Sequence, residues 1–415
     1  MKELIIAIVG AGIGGLTAAL ALQRAGFKVT VYEQAPELGE VGAGLSLSPS
    51  AAHALRYLGL GPALDAASYL PEDQAVRHYQ DGRALQWTNR GHALLEKYGE
   101  RYYLIHRADL HDALAAAVRA NDPEAIRLGQ RCTGVTQTGE RAQISFEGGA
   151  IVDADTVIGA DGSRSRVRFA LFGDDGPKYT GYIAWRGLVP MDRVPPRLLD
   201  PPSGIFVGPG HLVNRYPVRR GTLLNFVAFA ERAQWEEEGW SIRSTVDELV
   251  REFEDWHPEV CGFLAAVPPE LLFKWGLFDR EPLSSWCRGR VGLLGDAAHP
   301  ILPFLGHGAV LAIEDAIVLG RGPVIKSNVN QSYATDAVTA AEFAELCAGA
   351  GVVPQHFSSR NDQPCGSTIG PITASRTGIP TVDVGNPMLS MHSCRELAGT
   401  ADVAPMIRVL QAFFA

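Results

Sequence analysis

The segment Ile5–Gln34 constrains the fold of this chain more than any other stretch, because its pattern matches one supersecondary unit. It begins with a short apolar run, which is typical of a buried parallel strand. Gly10, Gly12 and Gly15 follow as G-x-G-x-x-G and open a helical stretch, and a second strand then ends on an acid. In such a unit the glycines allow a tight turn, a close approach to a pyrophosphate and close helix packing. The acid, Glu33, is spaced to accept hydrogen bonds from a ribose, so the segment predicts a dinucleotide-binding unit.

Charge and cysteine use exclude several classes of protein. The 415 residues are enough for about two or three domains, and the net charge of −9 argues against a nucleic-acid-binding surface. The six cysteines are scattered without a C-x-x-C pair. We therefore expect neither a disulfide framework nor a cysteine-type zinc site, and we place the protein in a reducing cytoplasm.

The uncharged run Leu4–Gln23 is as long as a membrane span, but its glycines favour the nucleotide-binding unit, so we expect no membrane span and no signal peptide.

Two later segments, Asp155–Arg168 and Arg290–Leu319, repeat the order of strand, turn and helix. In each of them an acid, Asp161 or Asp296, comes shortly after an apolar strand. An acid in that position suits a ligand hydroxyl. The second of these segments continues into a predicted helix at Gly306–Leu319, and the positive end of a helix suits a phosphate or a polarised ring edge.

Two further positions suggest ligand contacts, and each has a plain alternative. Gly44 belongs to a second pair of glycines in an apolar context, which suits backbone lying against a flat ligand and equally suits an ordinary loop. Arg107 stands near the start of a predicted helix, where it would hold a phosphate or a ligand hydroxyl. An isolated arginine more often forms a surface salt bridge, so both interpretations stay open.

Taken together, several motifs resemble those of the flavoprotein aromatic hydroxylases, and within that family the salicylate and 3-hydroxybenzoate hydroxylase-like enzymes. The motifs, over residues 1 to about 320, are the glycine turn with Glu33, HRADL at His106–Leu110, GADGSRSRVR at Gly159–Arg168 and GDAAHPILPFLGHGAVLAIEDA at Gly295–Ala316. The resemblance implies FAD as cofactor, NAD(P)H as a transient co-substrate, and O2. It also implies that a flavin hydroperoxide hydroxylates a small phenolic or benzoate-type ring. Because G-x-G-x-x-G occurs once, a nicotinamide cofactor that binds only transiently fits the chain.

The resemblance also implies roles for single residues. Glu33 would bind the adenosine ribose, and Arg107 the ribityl or pyrophosphate region. Asp161 would serve both FAD and the nicotinamide cofactor, and Asp296 the ribityl–pyrophosphate segment. The glycines expected beside the flavin ring are Gly306 and Gly308.

The implied reaction needs a dry pocket and a group that helps the phenol towards phenolate. His211 and Tyr216 are the candidates in the strand-rich segment 177–284, and a structural role is about equally plausible for each. Arg215 is a candidate partner for a substrate carboxylate. His307 stands where members of the family usually carry Gln, and it can donate a hydrogen bond but titrates near neutral pH. Residues expected only to build the sheet are Tyr182, Trp185 and Arg186.

The resemblance changes after a break at Gly320–Pro323, which ends the preceding helix. The following sequence resembles the C-terminal end of aspartyl aminopeptidase-like zinc peptidases, in CGSTIGPI at Cys365–Ile372 and PMLSMHS at Pro387–Ser393. His392 would be the last metal ligand of that family. One histidine cannot build a catalytic zinc site, which needs about three protein ligands, so His392 is interpreted as vestigial and zinc is not expected. Residues assigned to structure or surface are His356, Asp362 and Cys365.

We therefore predict an α/β protein with three parts. Residues 1–176 and 285–320 form a Rossmann-like FAD-binding domain, residues 177–284 an inserted substrate domain with a mixed β-sheet, and residues 321–415 an α/β peptidase-like fragment. The expected activity is that of a FAD-dependent aromatic monooxygenase. The alternatives are an uncoupled flavin-binding NAD(P)H oxidase, an inactive fusion, and a zinc aminopeptidase, which the missing ligands disfavour. The oligomeric state and the docking of the C-terminal part are not predicted.

Overall fold

The structure, a computed structural model, describes residues 4–39, 43–235, 242–283 and 285–317, and shorter C-terminal stretches. The stretches are residues 324–327, 335, 337–358, 382, 384–385, 388–389, 397–398 and 400–414. The chain divides into two compact units, residues 1–315 and 316–415, just before the boundary predicted at residue 320. No helix in these described ranges is both long enough and apolar enough to cross a membrane.

The first part of the chain alternates strands and helices. Its elements are β1 (Ile6–Val9), α1 (Ile13–Arg24), β2 (Val29–Tyr32), β3 (Gly44–Leu47), α2 (Pro49–Tyr57), α3 (Gly61–Ala67), β4 (Asp73–His78), β5 (Ala84–Asn89), α4 (His92–Tyr98), β6 (Tyr103–His106), α5 (Arg107–Asn121), β7 (Ile126–Arg127), β8 (Cys132–Thr138), β9 (Arg141–Phe146), β10 (Ile151–Ala154), β11 (Thr156–Gly159) and α6 (Arg166–Phe172).

The middle of the chain is richer in strands. Its elements are β12 (Lys178–Pro190), β13 (Ser203–Gly208), β14 (His211–Val218), β15 (Leu223–Glu231), β16 (Ile242–Arg243), α7 (Val246–Glu252), α8 (Pro258–Ala265), β17 (Phe273–Asp279), β18 (Cys287–Arg288), β19 (Val291–Leu293) and α9 (Gly308–Ile317). Short 3₁₀ turns lie between them, among them Gly295–Ala297 and Pro303–Leu305.

A six-stranded sheet carries the dinucleotide-binding pattern. Its strand order is β18-β19-β11-β1-β2-β7. Strands β1, β2, β7, β11 and β19 run parallel, and β18 joins antiparallel at the edge. The three segments in which sequence analysis found an acid after a strand therefore end at the same edge of one sheet. Parallel sheets of this kind bind ligands at the carboxyl ends of their strands.

The first unit also contains a larger, mixed sheet of eight strands, in the order β16-β17-β12-β15-β14-β13-β4-β5. Most neighbours pair antiparallel, but β4 pairs parallel with β13. The hairpin of β4 and β5, residues 73–89, therefore extends the substrate sheet, although the sequence-based division placed these residues in the nucleotide-binding domain. Long-range pairing of this kind leaves no local pattern in the sequence.

The two faces of this sheet pack against different partners, because successive side chains point to opposite faces. One face is covered by α7 and α8, and its core includes Trp185, Val213, Phe226 and Phe263. The Trp185 side chain has an exposed fraction of 0%, and its Nε1 donates a hydrogen bond to Ser244 Oγ at 2.9 Å. We refer to this side as the helix-covered face.

The opposite face of the sheet meets the nucleotide-binding part. Its buried cluster contains Ala184 and Phe229, and Leu212, Leu302 and Phe304 pack against it. Phe304 follows the turn that carries Asp296, and its ring centroid lies 4.8 Å from that of Phe229. We refer to this side as the ligand-side face.

The second unit is described by itself. Its elements are β20 (Val324–Ser327), α10 (Ala337–Gly349), β21 (Gln355–Ser358), β22 (Val384–Gly385), β23 (Met388–Leu389), β24 (Leu397–Ala398) and α11 (Thr400–Phe414). Strand β20 pairs parallel with β21 and antiparallel with β22. A small apolar core joins α10 and α11 through Phe343, Cys347 and Val409.

Replacing Trp185 by Ala tests the helix-covered core. We predict a loss of about 3–5 kcal/mol in the free energy of unfolding, because the substitution removes a fully buried indole and leaves a cavity. Urea denaturation would measure the loss. The matched control is Trp87→Ala on β5, where the side chain has an exposed fraction of 52% and the expected change is within about 0.5 kcal/mol. Equal effects of the two substitutions would contradict this description of the core.

Candidate functional site: the cofactor cradle and the ligand-side face

The glycine turn at the end of β1 contains glycines of two kinds. A Cβ on Gly10 would lie 2.4 Å from the carbonyl oxygen of Ala160, and a Cβ on Gly15 would lie 2.0 Å from the carbonyl oxygen of Gly10. These two positions are therefore glycine because backbone packs against backbone. Gly12 differs, since a Cβ there would meet no described atom within 4 Å. Its space faces outward from the turn, as a position that admits a pyrophosphate should.

The carboxylate of Glu33 lies at the mouth of this turn. Its Oε2 accepts a hydrogen bond from the Ala11 N–H at 2.8 Å, and its Oε1 accepts one from the Ala35 N–H at 2.9 Å. The buried His111 of α5 supports the same turn, because its Nε2 donates to the Ala11 carbonyl at 2.7 Å. Sequence analysis did not identify His111. The acid thus lies beside the turn, and its role towards a ribose stays a prediction.

A second polar group forms where the β19 segment meets α9. Asp296 lies in the turn after β19, and a Cβ on Gly308, the first residue of α9, would lie 3.7 Å from its Oδ1. Burial raises the pKa of the Asp296 carboxyl, and the nearby Arg107 cation opposes that shift. Arg107 begins α5, and its N–H donates to the Ala43 carbonyl at 2.8 Å. The fold thus brings together Arg107, Asp296 and the start of α9.

Asp161 has a structural role that the sequence interpretation did not include. Its Oδ1 accepts a hydrogen bond from Ser165 Oγ at 2.5 Å. Its Oδ2 accepts from the backbone N–H groups of Arg166 at 2.7 Å and Val167 at 3.2 Å. The carboxylate therefore caps the N-terminus of α6, where free N–H groups favour an acceptor. Burial raises the pKa of this carboxyl.

The loop before α9 crosses the end of β3. Gly306 has a φ of +65°, and its carbonyl accepts a hydrogen bond from Ser46 Oγ at 3.2 Å. His307 Nδ1 lies 2.7 Å from the carbonyl oxygen of Leu305. Because a carbonyl only accepts, Nδ1 carries the proton, and the neutral ring presents Nε2 as an acceptor. A glutamine amide at this position would present a donor as well.

Tyr216 lies on the ligand-side face, next to the start of β3. Gly44 N–H donates to Asn225 Oδ1 at 2.7 Å, and a Cβ on Gly44 would lie 2.4 Å from Tyr216 Cε2. Gly44 is therefore required for contact with these two side chains, which the sequence interpretation did not anticipate. Burial raises the pKa of Tyr216, and the neighbouring Tyr102 adds to the increase. The guanidinium of Arg90 lies over the Tyr102 ring, 4.6 Å from its centroid.

His211 and Arg215 lie on the helix-covered face, so the roles suggested for them are corrected. They stand an odd number of positions from Tyr216 on β14, and alternation turns their side chains away from it. His211 Nε2 lies 3.0 Å from Glu252 Oε1 of α7, and this hydrogen bond raises the pKa of His211. Its ring also packs edge-on against Phe253. His211 is thus a structural residue.

Arg215 is buried among the strands, with an exposed fraction of 1%. Its guanidinium stacks over the Phe206 ring at 5.3 Å, and its Nη2 donates to the Pro201 carbonyl at 3.2 Å. Burial, with a smaller contribution from the nearby Arg77 cation, lowers the pKa of Arg215 to about 9. A side chain enclosed on this face cannot reach a carboxylate on the ligand-side face.

The remaining residues divide in the same way. Trp185 builds the helix-covered core as expected, whereas Tyr182 and Arg186 belong to the ligand-side face by the same alternation. Arg186 stacks over the Trp275 ring, 5.4 Å from its centroid. Polar residues near Tyr216 that sequence analysis missed are Tyr102, Asn214 and Asn225. Asn225 pairs with Tyr216, and Asn214 lies two positions before Tyr216 on the same face of β14. Tyr102 precedes β6, and its proximity to Tyr216 follows only from the fold.

The predicted metal ligand belongs to a C-terminal stretch outside the described residues. His392, Asp362 and Cys365 lie outside the described residues, as does the side chain of His356. Within the ranges that the structure does describe, no group of three or more His, Cys, Asp or Glu side chains is arranged to hold a metal ion.

Two family models match the chain. The model of the "FAD binding domain" family matches residues 3–322, which is most of the chain. The model of "Aminopeptidase I zinc metalloprotease (M18)" matches residues 293–414 and overlaps the first match. The overlap covers residues 293–322.

Individual relatives match over the same first part. The chain is 40% identical over 315 residues to 3-amino-4-hydroxybenzoate 2-monooxygenase PtmB3 of Streptomyces platensis, covering 76% of this chain and 78% of the relative. It is 34% identical to 3-hydroxybenzoate 6-hydroxylase of Polaromonas naphthalenivorans, covering 79% and 80%. Among solved structures it resembles Klebsiella pneumoniae HpxO complexed with FAD and uric acid, at a TM-score of 0.69 and 30% identity, covering 76% and 79%.

A pair of glycine substitutions separates packing from cofactor contact. We predict that Gly12→Ala leaves the stability of the apoprotein within about 0.5 kcal/mol but weakens FAD binding at least about tenfold, because the methyl group would enter the open space that we expect a pyrophosphate to occupy. Gly15→Ala should instead destabilise the apoprotein by about 1–3 kcal/mol or more, since its methyl group overlaps the Gly10 carbonyl. Thermal unfolding and quenching of flavin fluorescence measure the two effects. Unaltered FAD affinity in Gly12→Ala would contradict the assignment.

Proposed function

The chain belongs to the family of FAD-dependent aromatic monooxygenases, and we propose that it hydroxylates a small benzoate-type ring that carries a phenolic hydroxyl. The family membership rests on the match of residues 3–322 to the FAD binding domain family and on the monooxygenase relative that is 40% identical over 315 residues. The proposed ring type is supported by relatives at 40% and 34% identity whose names specify hydroxybenzoates. NAD(P)H and O2 are the proposed co-substrates.

The described residues fit FAD. The outward space at Gly12 admits a pyrophosphate, and the Glu33 carboxylate stands beside it for the adenosine ribose. We propose that Arg107 and Asp296 hold the ribityl–pyrophosphate segment, and that the backbone of Gly306 and Gly308 lies beside the flavin ring. When bound, FAD accepts a hydride from the nicotinamide cofactor and supplies the oxygen chemistry of the reaction. The remaining tasks fall to the side chains of the chain itself.

The first of these tasks is to stabilise the substrate phenolate, and we assign it to Tyr216. Because burial and Tyr102 raise its pKa, the Tyr216 hydroxyl keeps its proton at neutral pH. Its Oη can then donate a hydrogen bond to the phenolic oxygen of the substrate and favour the charged, electron-rich form of the ring. The close approach of Gly44, and the pairing of Tyr216 with Asn225 on the neighbouring strand, restrict the position of the Tyr216 ring.

The second task is to exclude water, and the apolar part of the ligand-side face suits it. Phe229 and Phe304 meet here, and Leu212 and Leu302 pack beside them. A ring held against these side chains loses its contact with water, which prevents side reactions of the activated oxygen. Removal of any one of them would favour oxidation of NAD(P)H without hydroxylation.

His307 is proposed to contact a donor group of the substrate. Its Nδ1 is held by the Leu305 carbonyl, so the neutral ring offers the Nε2 lone pair. This acceptor suits a substrate O–H or N–H beside the flavin ring. The difference from the usual glutamine therefore points to a different substituent pattern from that of most members of the family.

We propose that the C-terminal unit is a fragment related to zinc aminopeptidases and carries no zinc chemistry. The match of the aminopeptidase model to residues 293–414 supports the relationship. His392 is the single motif ligand present, and catalytic zinc needs about three protein ligands. The reaction is therefore assigned to the first unit. Stoichiometric zinc in the purified protein, with peptidase activity that a chelator abolishes, would contradict this assignment.

Replacement of Tyr216 by Phe tests the central role. We predict that kcat for hydroxylation falls by about 10²-fold or more while FAD affinity stays the same, because the hydroxyl group is lost and the ring contacts remain. Product formation and H2O2 release should be measured against NAD(P)H consumption over a panel of hydroxybenzoates. NAD(P)H consumption without product in the wild-type protein would favour the uncoupled oxidase instead.

The matched control is His211→Gln on the same strand. Its side chain lies on the helix-covered face and binds Glu252, so hydroxylation should stay within about twofold of wild type once folding is verified. A large loss of activity in His211→Gln, together with normal activity in Tyr216→Phe, would reverse the two assignments.

A further inference from the structure

We propose that Asp315 and His299 form a latch that positions the turn Gly295–Ala297 and, through it, Asp296 towards the cofactor. The proposal rests on the FAD-dependent function described above. It assigns a positioning role to two residues that do not themselves belong to the proposed FAD contacts.

The latch closes the turn at both ends. Asp315 lies on α9, and its Oδ2 accepts a hydrogen bond from the Gly295 N–H at 3.0 Å. The same oxygen accepts one from His299 Nε2 at 2.6 Å. The backbone N–H of His299 donates to the Gly295 carbonyl at 2.9 Å. One carboxylate oxygen thus binds the first residue of the turn and the side chain that follows it.

Close packing holds the same turn against α9. Gly295 has a φ of +61°, and a Cβ there would lie 3.0 Å from the Cβ of Ala312. On the other side the His299 ring lies against the Trp286 ring, with a centroid distance of 4.7 Å. The imidazole is therefore held between an aromatic ring and a carboxylate, with little freedom to turn.

Asp296 lies between the two ends that the latch joins. Its carboxylate takes no part in the hydrogen bonds of the latch, although the charges of Arg107 and His299 act on it. Its orientation is therefore set by the backbone of the turn. A carboxylate that must meet a ligand hydroxyl depends on such support, because a small displacement breaks the hydrogen bond.

Arg168 supports the end of the turn from the opposite side. Its Nη1 donates to the carbonyls of Ala297 at 3.2 Å and Ala298 at 3.0 Å, and Asp175 accepts from its Nε at 2.9 Å. Arg168 is buried, so its loss would damage the fold. Asp315 and His299 are partly exposed, so their substitution should disturb folding less. Their contribution to FAD binding can therefore be measured separately from folding.

The latch should be sensitive to pH. Burial alone would lower the pKa of His299, but the hydrogen bond and charge of Asp315 outweigh it, and the pKa is raised. The charged groups that face His299 are Asp315 on α9 and Asp296 in the turn, with Arg107 next to Asp296 and Arg168 at the Ala298 carbonyl. Because the pKa is raised, the ion pair is complete at lower pH and weakens as the pH rises through that pKa.

FAD affinity across pH 6 to 9, measured by flavin fluorescence on the apoprotein, tests the latch. Asp315→Asn should weaken FAD binding about tenfold at neutral pH and flatten its pH dependence, because the charge-assisted bond to His299 is lost. His299→Gln should have the same effect. An asparagine oxygen at position 315 can still accept the Gly295 N–H, so all three variants lose only the charge-assisted bond between the two side chains, and the double variant should be no weaker than either single one. The matched control is Glu314→Gln, the neighbour that binds Ser50 instead, and it should stay within about twofold.

The outcomes separate the latch from the function it serves. If the wild-type protein binds no FAD, the proposed function fails. If it binds FAD and Asp315→Asn retains both the affinity and the pH profile, the latch alone is overturned. Additive losses in the double variant, or a loss in Asp315→Asn with an unaltered pH profile, would indicate a merely structural role and also overturn it. Thermal unfolding of each apoprotein verifies folding, and His299→Gln tests the same contact if Asp315→Asn does not fold.

Discussion

The contact between Gly44 and the Asn225 side chain determines how the nucleotide-binding part and the substrate sheet meet. Asn225 has an exposed fraction of 0%, and its Oδ1 accepts the Gly44 N–H at 2.7 Å. Loss of this partner would leave a buried amide oxygen unsatisfied and lower the free energy of unfolding by about 1–3 kcal/mol. The contact therefore restrains the distance between the two parts. Tyr216 lies in the same contact, and the bidentate ion pair between Arg219 and Asp109 holds a neighbouring point of the junction. The position of the proposed catalytic hydroxyl thus follows from a packing constraint on a glycine.

The cofactor cradle could be predicted from the sequence because its causes are local. The strand before the glycine turn, the turn itself and the acid at the end of β2 all lie within thirty residues, and the structure has the strand at Ile6–Val9. Helix α2 begins at Pro49 in the same local way, because Ser48 caps it by accepting a hydrogen bond from Ala51 N–H. Such features depend on the spacing of neighbours along the chain, which is visible without knowledge of the fold.

The substrate side could be predicted only in part, because its causes are not local. Period-two alternation on β14 separates Tyr216 from His211 and Arg215, but the pattern does not say which face meets the nucleotide-binding part. Which face of β14 meets the nucleotide-binding part depends on where α7 and α8 pack. These helices follow β15 and β16 in the chain, so the residues of β14 do not reveal it. Asp161 shows another limit. A carboxylate after a strand suits a ligand hydroxyl. The Asp161 carboxylate, however, also accepts hydrogen bonds from Ser165 and Arg166, which follow it in the chain, and so helps to cap α6.

The hairpin of β4 and β5 has a consequence for how the first unit is connected. It adds residues 73–89 to the substrate sheet, while the chain on either side of it belongs to the nucleotide-binding part. The polypeptide therefore passes back and forth between the two parts, and neither is one continuous piece. Residues that enter a shared sheet from distant segments tend to unfold together, so the two parts should behave as a single cooperative body. For the same reason, a substrate sheet exchanged between two members of the family would have to be moved as two separate gene segments.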